Sequence, residues 1–208
     1  MGSIIRAKLA LKKWLYAHDT FTKRGRRQRM LDMIRLLDLP EKCRVIDLGG
    51  MGYVWELFEN DFDVTLVNLP GGNPTAASDS KRFTCVEADG CDLSKEYEDN
   101  SFDLAFSNSV IEHVGEEDRQ LQFANEVRRL AKAYWVQTPS IRFPIEIHTW
   151  HPLLWQRRKL MGKELRLSED LCVLSRSRMQ EIFPDGQVYV ERLLGFEKSY
   201  SMYRPITG

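Results

Sequence analysis

The sequence predicts an α/β fold, a doubly wound and mainly parallel sheet of seven strands closed by an antiparallel hairpin. Three observations carry that expectation. From Cys43 onward, strand-like and helix-like runs alternate, which implies right-handed crossovers and helices on both faces of a sheet. The run "RVIDLGGMG" (44–52) ends an apolar strand in an acid followed at once by glycines, as expected where a ligand lies against bare backbone beyond a strand's carboxyl end. The last two strand-like runs, "VYVERLLG" and "FEKSYSMY", are joined around Gly195 by too few residues for a crossover, so they pair antiparallel.

Taken in order, residues 4–17 and 27–37 read as helices, the second with Met30, Ile34 and Leu37 at helical spacing. Leu39-Pro40 ends it, because the residue before proline is pushed out of the helical region. Strands are expected at 43–48, 63–69, 82–88, 102–108 and 133–138, with helices at 53–60, 116–131 and 176–183. The acidic loop after the third strand and the turn-rich "PGGNPTAASDS" are connections. One domain, residues 1–208, is expected, with a basic helical extension over 1–40 and a long insertion over 139–174 that forms part of an acceptor site.

Charge is unevenly distributed. The chain balances 30 Lys and Arg against 30 Asp and Glu, but residues 1–40 hold ten basic residues and three acidic ones. A basic extension of this kind favours an anionic partner. No apolar run is long enough to span a bilayer, Lys8, Lys12 and Lys13 interrupt any signal-peptide core, and Arg6 spoils a myristoylation signal. None of the four cysteines, Cys43, Cys85, Cys91 and Cys172, forms a C-x-x-C pair, and reduced thiols at or near the core are expected. A cytoplasmic location follows as the expectation.

The glycine turn lacks the G-x-G-x-x-G spacing of a dinucleotide site and the G-K-S/T of a phosphate loop. Five stretches in order and spacing are more specific: "RVIDLGGMG", "EADGCDL", "SFDLAFSNSVIEHV", "YWVQTPSIRFPIEIH" and the terminal hairpin. Over roughly residues 27–204 they resemble the class I S-adenosylmethionine (SAM)-dependent methyltransferases, above all small stand-alone bacterial members with the generic methyltransferase domain. The resemblance implies a Rossmann-like fold and SAM as cofactor. It implies that Asp47, Gly49 and Gly50 shape the pocket for the methionine part, although Met51 stands where the family has a further glycine. The second strand of the family ends in an acid on the ribose hydroxyls, whereas this chain has Asn68, so Asn68→Asp is expected to hold or improve affinity and Asp47→Ala to weaken it. Asp89 and Gly90, with the Cys91 backbone, match the adenine-reading motif, and Asn108 with Ser109 ends the fourth strand beside the reaction centre.

Methyl transfer from a sulfonium is an in-line displacement, so much of the catalysis is alignment. A hydroxyl acceptor also needs a base, and histidine suits neutral pH. His148, with Glu146 orienting it, is the first candidate and His113 the second. His151 is three residues from His148 and can share its face, and His18 belongs to the surface or to helix packing. Each of these also suits a histidine that merely orders a loop. Glu112, His113 and His148 are similar to the ligands of metal-binding methyltransferases that modify the 3′ end of small RNAs, but Ser109 replaces a required carboxylate, and no metal is expected.

Phe143, Trp150 and Trp155, with Arg142, Arg157 and Arg158, either line a pocket for an anionic acceptor or simply pack. No RNA-binding module is recognised, so the expected acceptor is a small molecule or a sugar- or lipid-linked one, reached by O-methylation, rather than nucleic acid. An RNA methyltransferase is the alternative enzyme, to be betrayed by strong salt dependence. A SAM-binding protein without catalysis is the alternative class, kept open by Met51 and Asn68. The basic N-terminus is read as a packed helix, as a lid over the cofactor, or as an amphipathic contact with a membrane surface.

Overall fold

The computed structural model describes residues 20–72, 74–75, 80–145, 151–163, 166–168 and 171–206. Helix α1 (Thr20–Leu37) leads into β1 (Arg44–Leu48), β2 (Asp63–Asn68), β3 (Phe83–Glu87) and β4 (Phe102–Asn108). Helix α2 (Glu117–Leu130), β5 (Ala131–Pro139), the short α3 (Leu154–Leu160) and the ribbon β6 (Arg166–Ser168) and β7 (Leu171–Cys172) follow. Helix α4 (Arg176–Ile182), β8 (Gln187–Leu193) and β9 (Phe196–Arg204) complete the chain. The main sheet has seven strands in the order β3-β2-β1-β4-β5-β9-β8. Strands β1 to β5 are parallel, and β9 runs antiparallel between β5 and β8, as the short Gly195 turn requires.

Side-chain alternation gives each face of this sheet its own core. Ile46 and Leu48 point to the face covered by α2 and α4, where Phe123, Val127, Leu130, Met179 and Ile182 are buried. Val45 points to the other face, with Met30, Met33 and Leu37 of α1 and with Trp55, Phe106 and Trp135. Each fully buried aliphatic or aromatic side chain contributes about 1.5–3 kcal/mol. Two-sided burial explains why β1 reads as a continuous apolar run interrupted only by Asp47.

Several boundaries differ from the sequence expectation. Helix α1 begins at Thr20 rather than 27, and the helix expected over 4–17 lies outside the described residues, as does His18. The segment expected as a helix over 53–60 is a six-residue 3-10 helix, Gly52–Leu57. Phe58 is extended there, and the Asn60 amide caps the carbonyls of Trp55 and Phe58 at 2.8 and 3.1 Å. Within 139–174 the regular elements after β5 are α3 and the β6–β7 ribbon. Trp155 is buried there with Leu171 and Val173 in a small separate core, so it packs and does not line a pocket. Cys85 is exposed on the edge strand β3, correcting the expectation of a near-core thiol, whereas Cys43 and Cys91 are buried and burial pushes both thiols up to about 12. Among the described residues, no helix is long and apolar enough to cross a membrane.

Candidate active site

Strand order reverses between β1 and β4, and in an open α/β sheet the crevice at that point, beyond the carboxyl ends, is where ligands bind. The chain brings most of its polar candidates to this edge. Asp47, however, lies beneath it. Alternation turns its side chain towards α1, where it is 1% exposed and accepts the Trp55 indole N–H at 2.8 Å. Burial pushes its carboxyl up to about 7, against the Trp55 hydrogen bond, which lowers it. A Cβ on Gly50 would fall 1.9 Å from the Asp47 carboxyl carbon, so glycine is required there for the turn to close over the acid. Asp47 therefore shapes the turn from below.

Gly49 sets the turn itself. Its φ is +74°, and a Cβ would come within 2.6 Å of Val110. Its N–H donates to Val67 O at 2.7 Å, tying the turn to β2. Met51 has φ −125° and ψ 125°, an extended conformation open to any residue, which explains why a glycine is dispensable there.

At the end of β2, the Asn68 side-chain amide donates to Gly50 O at 3.1 Å. An aspartate there has no proton to give and would set a carboxylate against a carbonyl oxygen. The hydrogen bond thus reverses the expected sign of Asn68→Asp. An asparagine serves the turn with its Nδ2 and keeps Oδ1 as a further hydrogen-bond acceptor.

After β3, Asp89 accepts the Cys91 N–H at 3.0 Å and pairs with Arg119 at 2.6 Å. Partial burial raises the Asp89 carboxyl, but the Cys91 amide and the Arg119 guanidinium outweigh it and hold the group below the usual carboxylate range. Gly90 packs against Phe123 and Leu48, with a Cβ there 3.4 Å from the Phe123 ring.

At the end of β4, Asn108 Oδ1 accepts from Arg29 at 2.8 Å, and the same guanidinium meets Glu191 on β8 at 2.5 Å. Glu191 also receives Lys198 at 2.7 Å and Ser199 at 2.8 Å. Burial raises the Glu191 carboxyl, but the charges of Arg29 and Lys198 prevail and lower it. Ser109 follows with φ 57°, a left-handed conformation that costs a non-glycine residue about 1–2 kcal/mol, held by its N–H and hydroxyl donating to Gln137 at 3.0 Å each. Glu112, fully buried in the next turn, accepts the Thr138 hydroxyl at 3.0 Å.

His113 is exposed on that same turn, and His151 is exposed before α3. Glu146, His148 and Trp150 lie outside the described residues. Among the described residues, no group of three or more His, Cys, Asp and Glu is placed to hold a metal ion. Sequence reasoning missed Trp55, Arg29 and Arg119. Trp55 lies on the 3-10 helix and Asp47 on β1, so no single period links them, while Arg29 sits beside Met30 on the buried face of α1 and carried a readable hint.

The strand order, the glycine turn and the polar ends of β2, β3 and β4 define a class I methyltransferase sheet. Residues 46–133 match the family model of the methyltransferase domain. Among solved structures, the chain is similar to a SAM-dependent methyltransferase from Archaeoglobus fulgidus, with TM-score 0.59 and 13% identity over 86% of this chain and 93% of that one. It is similar to a protein bound to the Trm112 methyltransferase activator of Haloferax volcanii, with TM-score 0.56 and 13% identity over 89% and 93% of the two chains. A SAM-dependent methyltransferase of Methanosarcina mazei gives TM-score 0.51 and 16% identity over 79% and 92%. No curated protein matches the chain in sequence. At these identities the structures establish the fold, and the family match adds the activity. Residues 46–133 carry a methyltransferase domain on the fold of SAM-dependent methyltransferases, and that domain implies SAM as the cofactor. The residues present suit that cofactor, since the Gly49-Gly50 turn sets no side chain of its own at the edge and Asn68 and Asn108 end the strands on either side of it.

Proposed function

We propose that this methyltransferase acts on a hydroxyl group of a small-molecule or sugar- or lipid-linked acceptor, with His148 as the base and Glu146 orienting it. The cofactor supplies a methyl group on a sulfonium, so the chain has to align the acceptor and remove its proton. One observation carries the reading. The connection bearing Glu146 and His148 springs from β5, the neighbour of the β4 strand that ends in Asn108. Its flanks are fixed, because Ile145 and Pro152 form an antiparallel bridge and Leu153 N–H donates to Pro144 O at 2.7 Å. Asn68 and the Gly49-Gly50 turn support SAM binding on the other side of the same crevice.

The test is His148→Ala. Turnover with a hydroxyl acceptor falls by roughly 10²–10⁴-fold, the usual range for a general base, while S-adenosylhomocysteine affinity is unchanged. The wild-type rate rises with pH as the imidazole deprotonates, and the variant loses that rise. Unchanged turnover in the variant removes His148 as the base and transfers the role to His113.

A further inference from the structure

Beyond the end of β5 the chain encloses a pocket of about 350 Å³ at the same carboxyl edge as the cofactor turn. Arg142, Lys159 and Arg176 project from three separate elements into its lining, with Ser140, Ser177 and Glu197 between them. Glu197 is the single carboxylate among these, and its charge is already divided. It lies 3.6 Å from Arg142 and 3.7 Å from Arg192, with its side chain 11% exposed. Among the described residues Lys159 and Arg176 form no ion pair, so the pocket carries an excess of positive charge.

That excess is not the background of the region. Residues 41–208 hold 20 Lys and Arg against 27 Asp and Glu, so a cationic cavity there runs against the composition. The larger groove of about 960 Å³, between α1 and residues 56–61, shows the contrast, because Arg27 and Arg82 face Glu56, Glu59 and Asp61 across it. Like charges gathered in a concavity repel one another, and the focused field favours an anion that relieves them. Hydroxyl donors complete the set. Ser177 Oγ lies 2.8 Å from Ser175 Oγ, while Tyr200, on the wall, is committed to the Leu174 carbonyl.

Position ties the pocket to the reaction. Asn108 pairs with Gln137, and Ser140 lies three residues further along the chain. At ~3.3 Å per residue the cation cluster stands on the order of 10 Å from the end of β4, within the span of one small acceptor. We infer that this pocket is a subsite for a phosphate-like oxyanion group carried by the methyl acceptor, with Arg176, Lys159 and Arg142 as its cations. The inference rests on the reading of this face as the acceptor side. It narrows the acceptor class to molecules bearing a phosphoryl or comparable anionic group. That group anchors the acceptor while its hydroxyl reaches the methyl.

The probe is inorganic phosphate, titrated calorimetrically into the full chain at constant ionic strength. Wild type binds it saturably. Arg176→Gln weakens it at least about ten-fold, the loss of one charge-assisted hydrogen bond, and Arg176→Gln with Lys159→Gln abolishes it. S-adenosylhomocysteine affinity stays within about two-fold in both variants, which shows that they fold, since affinity tenfold apart would mark ~1.4 kcal/mol. Absence of saturable phosphate binding in wild type, or equal binding in the double variant, overturns the inference. Vesicles of phosphatidylcholine with and without phosphatidic acid then separate the sources. Retention on phosphatidic acid that is lost in the double variant identifies a lipid-borne group, and phosphate binding without retention identifies a soluble one. Because no turnover is measured, failure of the His148 test leaves this result standing, and the reverse also holds.

Discussion

Along the carboxyl edge from β3 to β4 the polar groups are tied to one another, whereas beyond β5 the cations stand exposed around a pocket. Asp47 is enclosed by Trp55 and Gly50, Asn68 by Gly50, and Asn108 by Arg29. Arg142, by contrast, has a side chain 71% exposed, and Lys159 and Arg176 are exposed on α3 and α4. The family match ends at residue 133, within β5, so it covers the first region and stops before the second. A cofactor shared by many enzymes calls for one backbone cradle, which the sheet supplies. An acceptor peculiar to one enzyme is met by the connections, which vary without disturbing the core. Arg29 joins the two regions, with one guanidinium held between Asn108 at the end of β4 and Glu191 on the terminal hairpin.

The sharpest way to break this comparison is to titrate the enclosed side. Burial pushes the Asp47 carboxyl up to about 7 despite the Trp55 hydrogen bond, while in the unfolded chain it titrates near its ordinary value of 3.8. The folded state therefore holds the proton more tightly between those two values. Stability from this group is full below about pH 4 and is lost as pH rises to about 7, on the order of 4 kcal/mol at ~1.4 kcal/mol per unit. Asp47→Asn keeps an acceptor for the indole and cannot ionise. Urea unfolding from about pH 4 to pH 8 is expected to show a falling wild-type profile and a flatter one for the variant, which becomes the more stable protein at the alkaline end. Identical profiles would mean that the acid is solvated and the turn is open. Asp47→Ala is the wrong probe of affinity, because it strips the buried indole of its partner and acts on the fold first.

A smaller effect is expected at Asn68. Asn68→Asp loses the hydrogen bond to Gly50 and sets two oxygens against each other where 3.1 Å now separates donor from acceptor. S-adenosylhomocysteine binding should weaken by about ten-fold, equivalent to ~1.4 kcal/mol. Equal or tighter binding, read by calorimetry, would show that the ribose contact outweighs the tie to the turn and that this side tolerates change as the other does.

The sheet was legible because parallel strands buried on both faces must be apolar runs, and because Gly195 leaves room only for a hairpin. The turn was legible because Gly49 and Gly50 occupy positions no other residue fits. The residues that hold these groups were not. Arg29 meets Asn108 across 79 positions and Arg119 meets Asp89 across 30, and neither spacing leaves a periodic trace. The segment 53–60 misled for a related reason. Its composition suits a helix, but Trp55 has to turn inward to reach Asp47, and a 3-10 helix with Asn60 as its stop provides that direction.

The smallest effect decides what Asp89 is for. Its pair with Arg119 is short, 2.6 Å, but the two side chains are 43% and 41% exposed, so water screens the attraction and the pair is worth about 0–1 kcal/mol. A carboxylate has roughly four lone-pair sites, and Cys91 N–H and Arg119 occupy two, so an adenine amine can still be accepted with Arg119 in place. Arg119→Gln is therefore expected to change stability by less than about 1 kcal/mol and S-adenosylhomocysteine affinity by no more than about three-fold. Asp89→Ala, measured beside it, is expected to lose at least about ten-fold in affinity, because the acceptor itself is gone. Equal losses in the two variants would give a different answer: the carboxylate would serve as the counter-ion that holds Arg119, and the guanidinium would be the group facing the cofactor. The tied side of the edge would then extend one residue further, onto α2, and adenine recognition would rest on the helix rather than on the end of β3.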